Sequence, residues 1–241
     1  PVANVPGVNA QTVAEYCIAS CLALAHRIVA MDRDHHAKGW SEGRAHADHA
    51  IEMAGRTIGV VGVGAIGTKV AEIASRAFGM KVLGYQRRLD ALPDFVAPAS
   101  IDQLCAQSDF ITLNCPLTPA TRHLINEKLL RSMKPTAFIV NVARGPVIDE
   151  DALARVLAEG KIAGAALDVY SEQPLPRDHA FLTLPNVILT PHAAGLTQEA
   201  SHRMSEGAAL QILQLLKGER PTFMVNPEIW PAHLERVRRW K

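Results

Sequence analysis

Short β-branched runs alternate with amphipathic stretches from Thr57 almost to the end of the chain, and this alternation restricts the fold more than any other feature. Parallel strands joined by crossover helices produce such a pattern. Several of the runs are apolar at consecutive residues, which is typical of strands that helices cover on both faces. The sequence therefore predicts an α/β fold with a doubly wound parallel sheet of the Rossmann type.

The apolar runs place the predicted strands at residues 58–62, 81–86, 110–114, 137–142, 164–169 and 187–190. The amphipathic stretches predict helices at residues 66–77, 101–107, 126–132, 150–159 and 197–217. Asp149 stands where a helix N-cap is expected, and Gly160 and Gly218 stand where helices are expected to stop.

The stretch before the first strand has a different character. Residues 11–31 predict one long helix that is apolar nearly all round, and such a helix needs burial on more than one side. We expect part of it to pack on the sheet and part on a second subunit, which predicts a homodimer. Residues 33–49 are polar and rich in histidine, and they predict a loop.

Prolines at 221, 227 and 231 predict an extended or turn-like C-terminal tail. The predicted organisation is therefore a dinucleotide-binding domain over residues 1–217, including the helix at 11–31, followed by a tail over residues 218–241.

Composition excludes several classes of protein. With 25 basic and 24 acidic residues the chain has no large positive field, so we expect no nucleic-acid partner. No apolar run approaches the roughly 18 to 20 residues that span a bilayer, and the start lacks the features of a signal peptide. The 4 cysteines form no CxxC pair, which favours a reducing compartment and predicts the cytoplasm. The histidines at 35, 36, 46 and 49 match no zinc spacing, and no metal is expected.

A glycine-rich loop lies between the first predicted strand and the helix that follows it. Gly62, Gly64 and Gly67 form a GxGxxG sequence there. In this setting the first glycine makes a tight turn, the second lets the backbone approach a pyrophosphate, and the third allows close packing of helix on strand. Free N–H groups at the start of the helix favour phosphate. The loop predicts a dinucleotide cofactor.

The end of the second strand discriminates between NAD and NADP. Gln86 stands where an acidic residue would bind the ribose 2′-hydroxyl of NAD, and Arg87 and Arg88 follow it. Two guanidinium groups can pair with a 2′-phosphate. We therefore predict that NADP is preferred and that NAD is possible, while solvated loop charges are the alternative interpretation.

Polar and charged residues follow four later strands, at the sheet edge where doubly wound folds bind ligands. Arg144 can hold a substrate carboxylate and polarise the adjacent carbonyl, because its fork of donors is always charged. His192 can donate a proton to the carbonyl oxygen as a hydride arrives, and can accept it in the reverse reaction. Each residue also has a structural interpretation: Arg144 as a turn cap, His192 as a buried histidine, and Asp168 as a helix cap. Their convergence favours the functional one.

Five ordered motifs also resemble the D-2-hydroxyacid dehydrogenases, a family that includes phosphoglycerate dehydrogenase, glyoxylate/hydroxypyruvate reductase and, more distantly, formate dehydrogenase. They are GVVGVGAIG, NCPLTPATRHLI, NVARGPVIDEDAL, ALDVY and LTPHAAG. The resemblance implies that Arg144 and His192 are the catalytic pair and that Asp168 contacts the nicotinamide end. It also implies a cofactor site that includes Ala65, Ile66, Cys115, Pro116, Thr121, Val142, Ala143, His192 and Gly195, and a dimerisation role for the long helix.

The sequence departs from the family pattern in two places. Gln173 stands where family members usually carry the glutamate that orients and charges the catalytic histidine. A glutamine can orient an imidazole but cannot stabilise imidazolium as a carboxylate does, and Glu172 is the alternative partner. The family also carries an N-terminal segment of roughly a hundred residues that forms most of the substrate domain. The resemblance implies that this segment is missing here, that the tail returns to that domain, and that this chain alone turns over slowly.

The leading hypothesis is an NAD(P)-dependent oxidoreductase that acts on a small D-2-hydroxy or 2-oxo acid, with Arg144, His192 and Gln173 as its catalytic residues. A dinucleotide-sensing or scaffolding protein of the same fold remains open. So does an enzyme similar to formate dehydrogenase, although Gln86, Arg87 and Arg88 do not favour the NAD that such an enzyme usually takes.

Overall fold

The computed structural model describes residues 1–88 and 91–238. Within them a parallel sheet runs in the order β3-β2-β1-β4-β5-β6-β7. Its strands are β1 (Thr57–Val61), β2 (Lys81–Tyr85), β3 (Ala97–Pro98), β4 (Phe110–Leu113), β5 (Phe138–Asn141), β6 (Gly164–Leu167) and β7 (Val187–Leu189). The strand order reverses between β1 and β4, where doubly wound sheets bind ligands. The predicted fold class is confirmed, and only the short edge strand β3 was missed.

Helices connect and cover these strands. They are α1 (Ala10–Ala25), α2 (Ile28–Lys38), α3 (Trp40–Ala45), α4 (Ala65–Phe78), α5 (Ile101–Gln107), α6 (Glu127–Ser132), α7 (Glu150–Ala158), α8 (Gln198–Lys217) and α9 (Trp230–Arg238). Local chemistry fixes their ends as the sequence predicts: the Asp149 side chain accepts from Ala152 N at the start of α7, and Gly218 ends α8 in the left-handed conformation.

Two apolar layers enclose the sheet. Phe138 and Val140 of β5 pack in one layer together with buried residues of α1 and α4, whereas Ile139 packs in the other with α5, α6 and α7. Successive residues of a strand point to opposite faces, so a strand covered on both faces must be apolar at every position. This explains the consecutive apolar runs of the sequence.

The prediction of one helix over residues 11–31 is wrong at its C-terminal end. Arg27 adopts a left-handed backbone conformation with φ of 58°, which ends α1 and turns the chain by 55° into α2. The predicted loop over residues 33–49 is also wrong, because it forms most of α2, all of α3 and a 3₁₀ turn. The buried carboxylate of Asp34 holds this region by accepting from His46 Nε2 at 2.8 Å. The polar residues that suggested a loop mostly cover the exposed faces of short helices.

The predicted irregular tail is wrong over α9. Pro231 lies in the first turn of that helix, where its missing N–H would have no partner and its fixed φ suits a helix start. Residues 239–241 of the predicted tail lie outside the described residues.

The chain divides into two compact units. Residues 13–194 contain the whole sheet and α2–α7. Residues 1–12 and 195–241 form the other unit, in which Ala3 pairs with Met224 and Arg203 Nε donates to Val8 O at 2.9 Å. The boundary after Lys217 and the functional division that it implies stay predictions.

No helix in the described part of the chain is by itself long and apolar enough to cross a membrane. Only α1 and α2 taken together, with their bend, meet that test of length and composition.

Candidate active site

The glycine loop follows β1, and the fold itself requires two of its three glycines. Gly62 has φ of 91°, and a Cβ there would lie 2.7 Å from Cys115 N, so the loop presses against the chain that leaves β4. A Cβ at Gly67 would lie 2.0 Å from Gly62 O. Both positions need the absence of a side chain for the loop to close on itself.

Gly64, the second glycine of the loop, is not closely packed as Gly62 and Gly67 are. A Cβ there would meet no described atom within 4 Å, so no contact among residues 1–88 and 91–238 demands glycine. Gly64 is the N-cap of α4, and Ala65 and Ile66 begin that helix. The first turn of a helix has N–H groups without intrahelical partners, and here the backbone beside them is open. This bare, positively polarised helix start fits a dinucleotide pyrophosphate.

The chain leaves β2 through Gln86, Arg87 and Arg88. The Gln86 amide donates to Arg88 O at 2.7 Å, which folds the side chain back on its own loop. Both arginines are exposed, and neither forms an ion pair with any carboxylate among residues 1–88 and 91–238. Two guanidinium groups without an ion-pair partner in the described part of the chain therefore follow the strand end.

The chain that leaves β4 is held by a threonine. Thr121 Oγ1 donates to Pro116 O at 2.7 Å and accepts from Thr118 N at 2.8 Å, so the hydroxyl closes the loop. Cys115 is buried, and burial raises the pKa of its thiol. This environment disfavours the thiolate of Cys115.

Arg144 is presented by a buried asparagine at the end of β5. Asn141 Oδ1 accepts from Ala143 N at 3.0 Å, and Asn141 Nδ2 donates to Arg144 O at 3.1 Å. The Arg144 side chain is exposed, and Nη1 donates to Ala143 O at 2.6 Å. Val142 is half-buried. Asn141 is a functional residue that the sequence motifs do not single out, although an amide that ends an apolar strand is a signal for such a role.

The loops after β5 and β6 are in direct contact. A Cβ at Gly145 would lie 2.0 Å from the carbonyl carbon of Tyr170. Ser171 N also donates to Glu150 Oε1 at 2.8 Å, which ties the same loop to the start of α7. These contacts fix the loop of Arg144 against the loop that carries Gln173.

Asp168 is 1% exposed and binds the turn that follows β7. Its Oδ1 accepts from Thr190 Oγ1 at 2.7 Å and from Ala193 N at 2.8 Å, and its Oδ2 accepts from Ala194 N at 2.9 Å. Its carbonyl accepts from His192 N at 2.8 Å. Asp168 is thus no helix cap in this structure; it holds residues 190–194, the histidine turn, which carries His192. Each carboxylate oxygen can accept two hydrogen bonds, so Oδ2 keeps one acceptor position.

His192 is exposed and has a left-handed backbone with φ of 57°. Such a conformation is uncommon for a residue other than glycine and persists where its surroundings hold it. Gln173 Oε1 lies 2.8 Å from His192 Nδ1, and Gln173 Nε2 donates to Tyr170 O at 3.1 Å. Because a carbonyl can only accept, the Gln173 amide has one orientation, and Nδ1 must carry the proton. The neutral ring then has its lone pair on Nε2.

The structure brings Arg144, Asp168, Gln173 and His192 to the carboxyl ends of β5, β6 and β7, which are neighbours in the sheet. Gln173 rather than Glu172 is the partner of His192. Gly195 belongs to the other compact unit. Within the described residues, no group of three or more His, Cys, Asp or Glu residues could hold a metal ion.

Residues 18–194 match the family model described as D-isomer specific 2-hydroxyacid dehydrogenase, NAD binding domain. The chain is 42% identical over 245 residues to a glyoxylate reductase from Thermofilum pendens. The aligned region covers 98% of this chain and 71% of that protein.

Two solved structures are also similar. One is an acyclic imino acid reductase, Bsp5, in complex with NADPH and D-Arg, at 34% identity and a TM-score of 0.83 over 93% of this chain and 71% of that one. The other is an NAD-dependent formate dehydrogenase from Staphylococcus aureus in complex with NAD, at 32% identity and a TM-score of 0.83 over 90% of this chain and 65% of that one.

Proposed function

The chain belongs to the D-isomer-specific 2-hydroxyacid dehydrogenases, and from this premise we propose how its residues carry out NAD(P)-dependent hydride transfer with a small 2-hydroxy or 2-oxo acid. One observation carries the assignment: Arg144 and His192 follow β5 and β7 at the edge of the sheet where the glycine loop follows β1. A cationic clamp and an acid/base group on that edge are what the reaction needs from the protein.

Arg144 is the substrate clamp in this proposal. Its guanidinium is exposed, while its backbone is fixed by Asn141 and by the contact of Gly145 with Tyr170. A planar fork of donors can bind a carboxylate with two parallel hydrogen bonds and polarise the neighbouring carbonyl.

His192 is the acid/base group. With Nδ1 committed to Gln173, only Nε2 is free to exchange a proton with the substrate oxygen. In reduction the imidazolium gives the Nε2 proton to the developing alkoxide, and in oxidation neutral Nε2 takes a proton from the hydroxyl. Gln173 sets the orientation of the ring without adding charge.

A bound NAD(P) supplies or accepts the hydride, and this chain's residues position it. We assign the pyrophosphate to the glycine loop and the nicotinamide end to Asp168, whose Oδ2 keeps an acceptor position for an amide N–H. The proposed cofactor residues of this unit are Gly62, Gly64, Ala65, Ile66, Gly67, Gln86, Arg87, Arg88, Cys115, Pro116, Thr121, Val142, Ala143, Asp168 and His192.

NADP is the proposed preferred form of the cofactor. Supporting this, the loop after β2 exposes Arg87 and Arg88, which form no ion pair with another described residue, and Gln86 is not a carboxylate that would repel a 2′-phosphate. Charge-assisted hydrogen bonds contribute about 1.5 to 3 kcal/mol, so NADPH should bind at least tenfold more tightly than NADH. The double variant Arg87→Ala/Arg88→Ala should remove this difference, and equal dissociation constants in the wild type would contradict the proposal.

Absorbance of NADPH and NADH tests the function directly. The full chain is mixed with glyoxylate, hydroxypyruvate, pyruvate or phenylpyruvate, with Arg144→Ala and Arg144→Lys as matched variants. We expect oxidation that Arg144→Ala lowers about a thousandfold, since it loses two charge-assisted bonds. Arg144→Lys should recover part of the loss, because lysine keeps the charge but not the fork. Turnover that is indifferent to Arg144 would contradict the assignment, and tight NADPH binding without turnover would favour the sensing alternative.

The Gln173–His192 pair favours a second candidate, a hydride transfer that needs no proton from the histidine. Formate oxidation releases only carbon dioxide and a hydride, and an iminium carbon already carries the positive charge that draws a hydride. Two of the similar structures are those of a formate dehydrogenase and an imino acid reductase. Formate with NAD⁺, and pyruvate with methylamine and NADPH, test the two reactions. A rate above that of the 2-oxo acids alone would favour this candidate.

We also propose a homodimer of this chain in the cytoplasm. Ile28, Val29 and Trp40 on α2 and α3 are exposed, and Trp40 is 72% exposed. Arg27 Nε is buried without a hydrogen-bond partner among the described residues, beside a cavity of about 620 Å³ at the opposite edge of the sheet from the glycine loop. A second copy of the chain packed against α2 and α3 would bury these three apolar side chains. Sedimentation equilibrium should give a dimer that Trp40→Glu dissociates, whereas a wild-type monomer at micromolar concentration would contradict the proposal.

A further inference from the structure

A hydroxyl from α1 reaches the turn that carries His192, although nothing in the assigned chemistry uses it. The phenol of Tyr16 hydrogen-bonds to the side chain of Thr190, the residue that directly follows β7. The same Thr190 hydroxyl lies 2.7 Å from Asp168 Oδ1. All three residues belong to the unit formed by residues 13–194.

The protons in this chain of hydrogen bonds have one arrangement. Asp168 accepts from Ala193 N and Ala194 N, and its Oδ1 also accepts from the Thr190 hydroxyl. The Thr190 hydroxyl has a single proton, which it donates to Asp168 Oδ1. In the bond between Tyr16 and Thr190, the Tyr16 hydroxyl must therefore be the donor. Burial raises the pKa of Tyr16, which keeps the phenol protonated and able to donate.

Asp168 is the last residue in this series of hydrogen bonds, and it also fixes the backbone of the histidine turn. Its carboxylate binds the N–H groups of Ala193 and Ala194, and its carbonyl binds the N–H of His192. Tyr170 also binds the histidine turn, because its hydroxyl donates a hydrogen bond to Thr190 O at 2.9 Å. These bonds surround the left-handed backbone of His192, a conformation that persists where the surroundings hold it.

We infer that Tyr16 is a positioning residue for the proposed acid/base His192, acting through the Thr190 hydroxyl and the Asp168 carboxylate. The inference rests on the proposed function for its kinetic consequence and on the structure for the network. Donation from Tyr16 polarises the Thr190 hydroxyl and strengthens its bond to Asp168, since successive hydrogen bonds in a buried chain reinforce one another. A fixed Asp168 in turn keeps the imidazole in its productive place.

The test compares Tyr16→Phe, Thr190→Val, their double variant and Thr190→Ser in the full chain. Tyr16→Phe removes one hydroxyl and should lower kcat about fivefold with little change in KM, because the turn is misplaced while Arg144 still binds substrate. Thr190→Val should cost about tenfold and the double variant no more than that. Thr190→Ser keeps the hydroxyl and should remain within about twofold of the wild type. Losses that multiply in the double variant would overturn the inference, since unlinked groups act independently.

Amide hydrogen exchange at Ala193 and Ala194 gives a second readout that does not require activity. Tyr16→Phe should lower the protection of both amides about fivefold, whereas Tyr85→Phe, which removes a hydroxyl without a described partner, should leave it unchanged. Unchanged protection in Tyr16→Phe would overturn the network. If even the wild type fails to oxidise NADPH, the proposed function fails, and the exchange data still decide whether Tyr16 holds the turn.

Discussion

The glycine loop after β1 and the histidine turn after β7 lie on the same edge of the sheet, and opposite means shape them. The glycine loop closes because side chains are absent: Gly62 and Gly67 leave no room for a Cβ. The histidine turn is held by side chains that are present and distant in sequence, since Thr190 and Ala194 lie 22 and 26 residues from Asp168. Backbone N–H groups that bind a phosphate must not be blocked by side chains, whereas a side chain that transfers a proton must be held in one orientation.

The largest expected effect separates two glycines of the same loop. Gly67→Ala places a Cβ 2.0 Å from a backbone oxygen, which cannot move as a side chain could, and should destabilise the protein by about 3 kcal/mol. Gly64→Ala meets open space and should leave stability within about 0.5 kcal/mol while weakening NADPH binding at least tenfold. Urea unfolding and NADPH titration measure the two effects. Equal behaviour of the two variants would contradict the distinction between a fold glycine and a ligand glycine.

A smaller effect is expected when the histidine turn loses the charge that holds it. Asp168→Asn keeps the shape but replaces one acceptor oxygen by an amide that faces an N–H donor. Losing a charge-assisted hydrogen bond costs about 2 kcal/mol, so kcat/KM should fall about thirtyfold. Asp149→Asn is the matched control, because it changes a carboxylate that caps α7 to another good N-cap. A comparable loss of kcat/KM in the control would show that the effect is not specific to the turn.

The smallest expected effect concerns the charge beside His192. Gln173→Glu keeps the hydrogen bond to Nδ1 and adds a negative charge at 2.8 Å, which stabilises the imidazolium. The imidazolium is the acid in reduction, so the alkaline limb of the pH–rate profile should move to higher pH by about one unit. Measuring kcat/KM with NADPH between pH 5 and pH 10 checks this. An unmoved profile would contradict the role given to Gln173.

The sequence predicts the sheet well because the burial of a central strand on both faces leaves a purely local trace, a run such as that of β5. It predicts the glycine loop because the GxGxxG sequence between a strand and a helix is also a local pattern. It fails for α2 and α3, whose polar surface conceals a helical backbone held by Asp34 and His46 from different elements. It fails for α9 because a proline usually predicts the end of a helix, whereas Pro231 lies in the first turn, where a helix accepts proline.

For the active site, the sequence identifies residues but not their partners. Arg144, Asp168 and His192 stand beside recognisable strand ends, so the shared edge could be predicted. The hydrogen bond between Tyr16 and Thr190 spans 174 residues, and no local pattern predicts such a contact. Asn141 was missed because a polar residue at a strand end signals a role without showing its partners, which here are backbone groups of its own loop.

The most direct test of the central claim is calorimetric titration with oxamate, an unreactive analogue of a 2-oxo acid, in the presence and absence of NADPH. If one sheet edge holds both the cofactor and the substrate carboxylate, the wild type should bind oxamate more tightly once NADPH is bound. Arg144→Ala should lose oxamate binding while its affinity for NADPH stays within about twofold. Oxamate binding that depends on neither NADPH nor Arg144 would contradict the account.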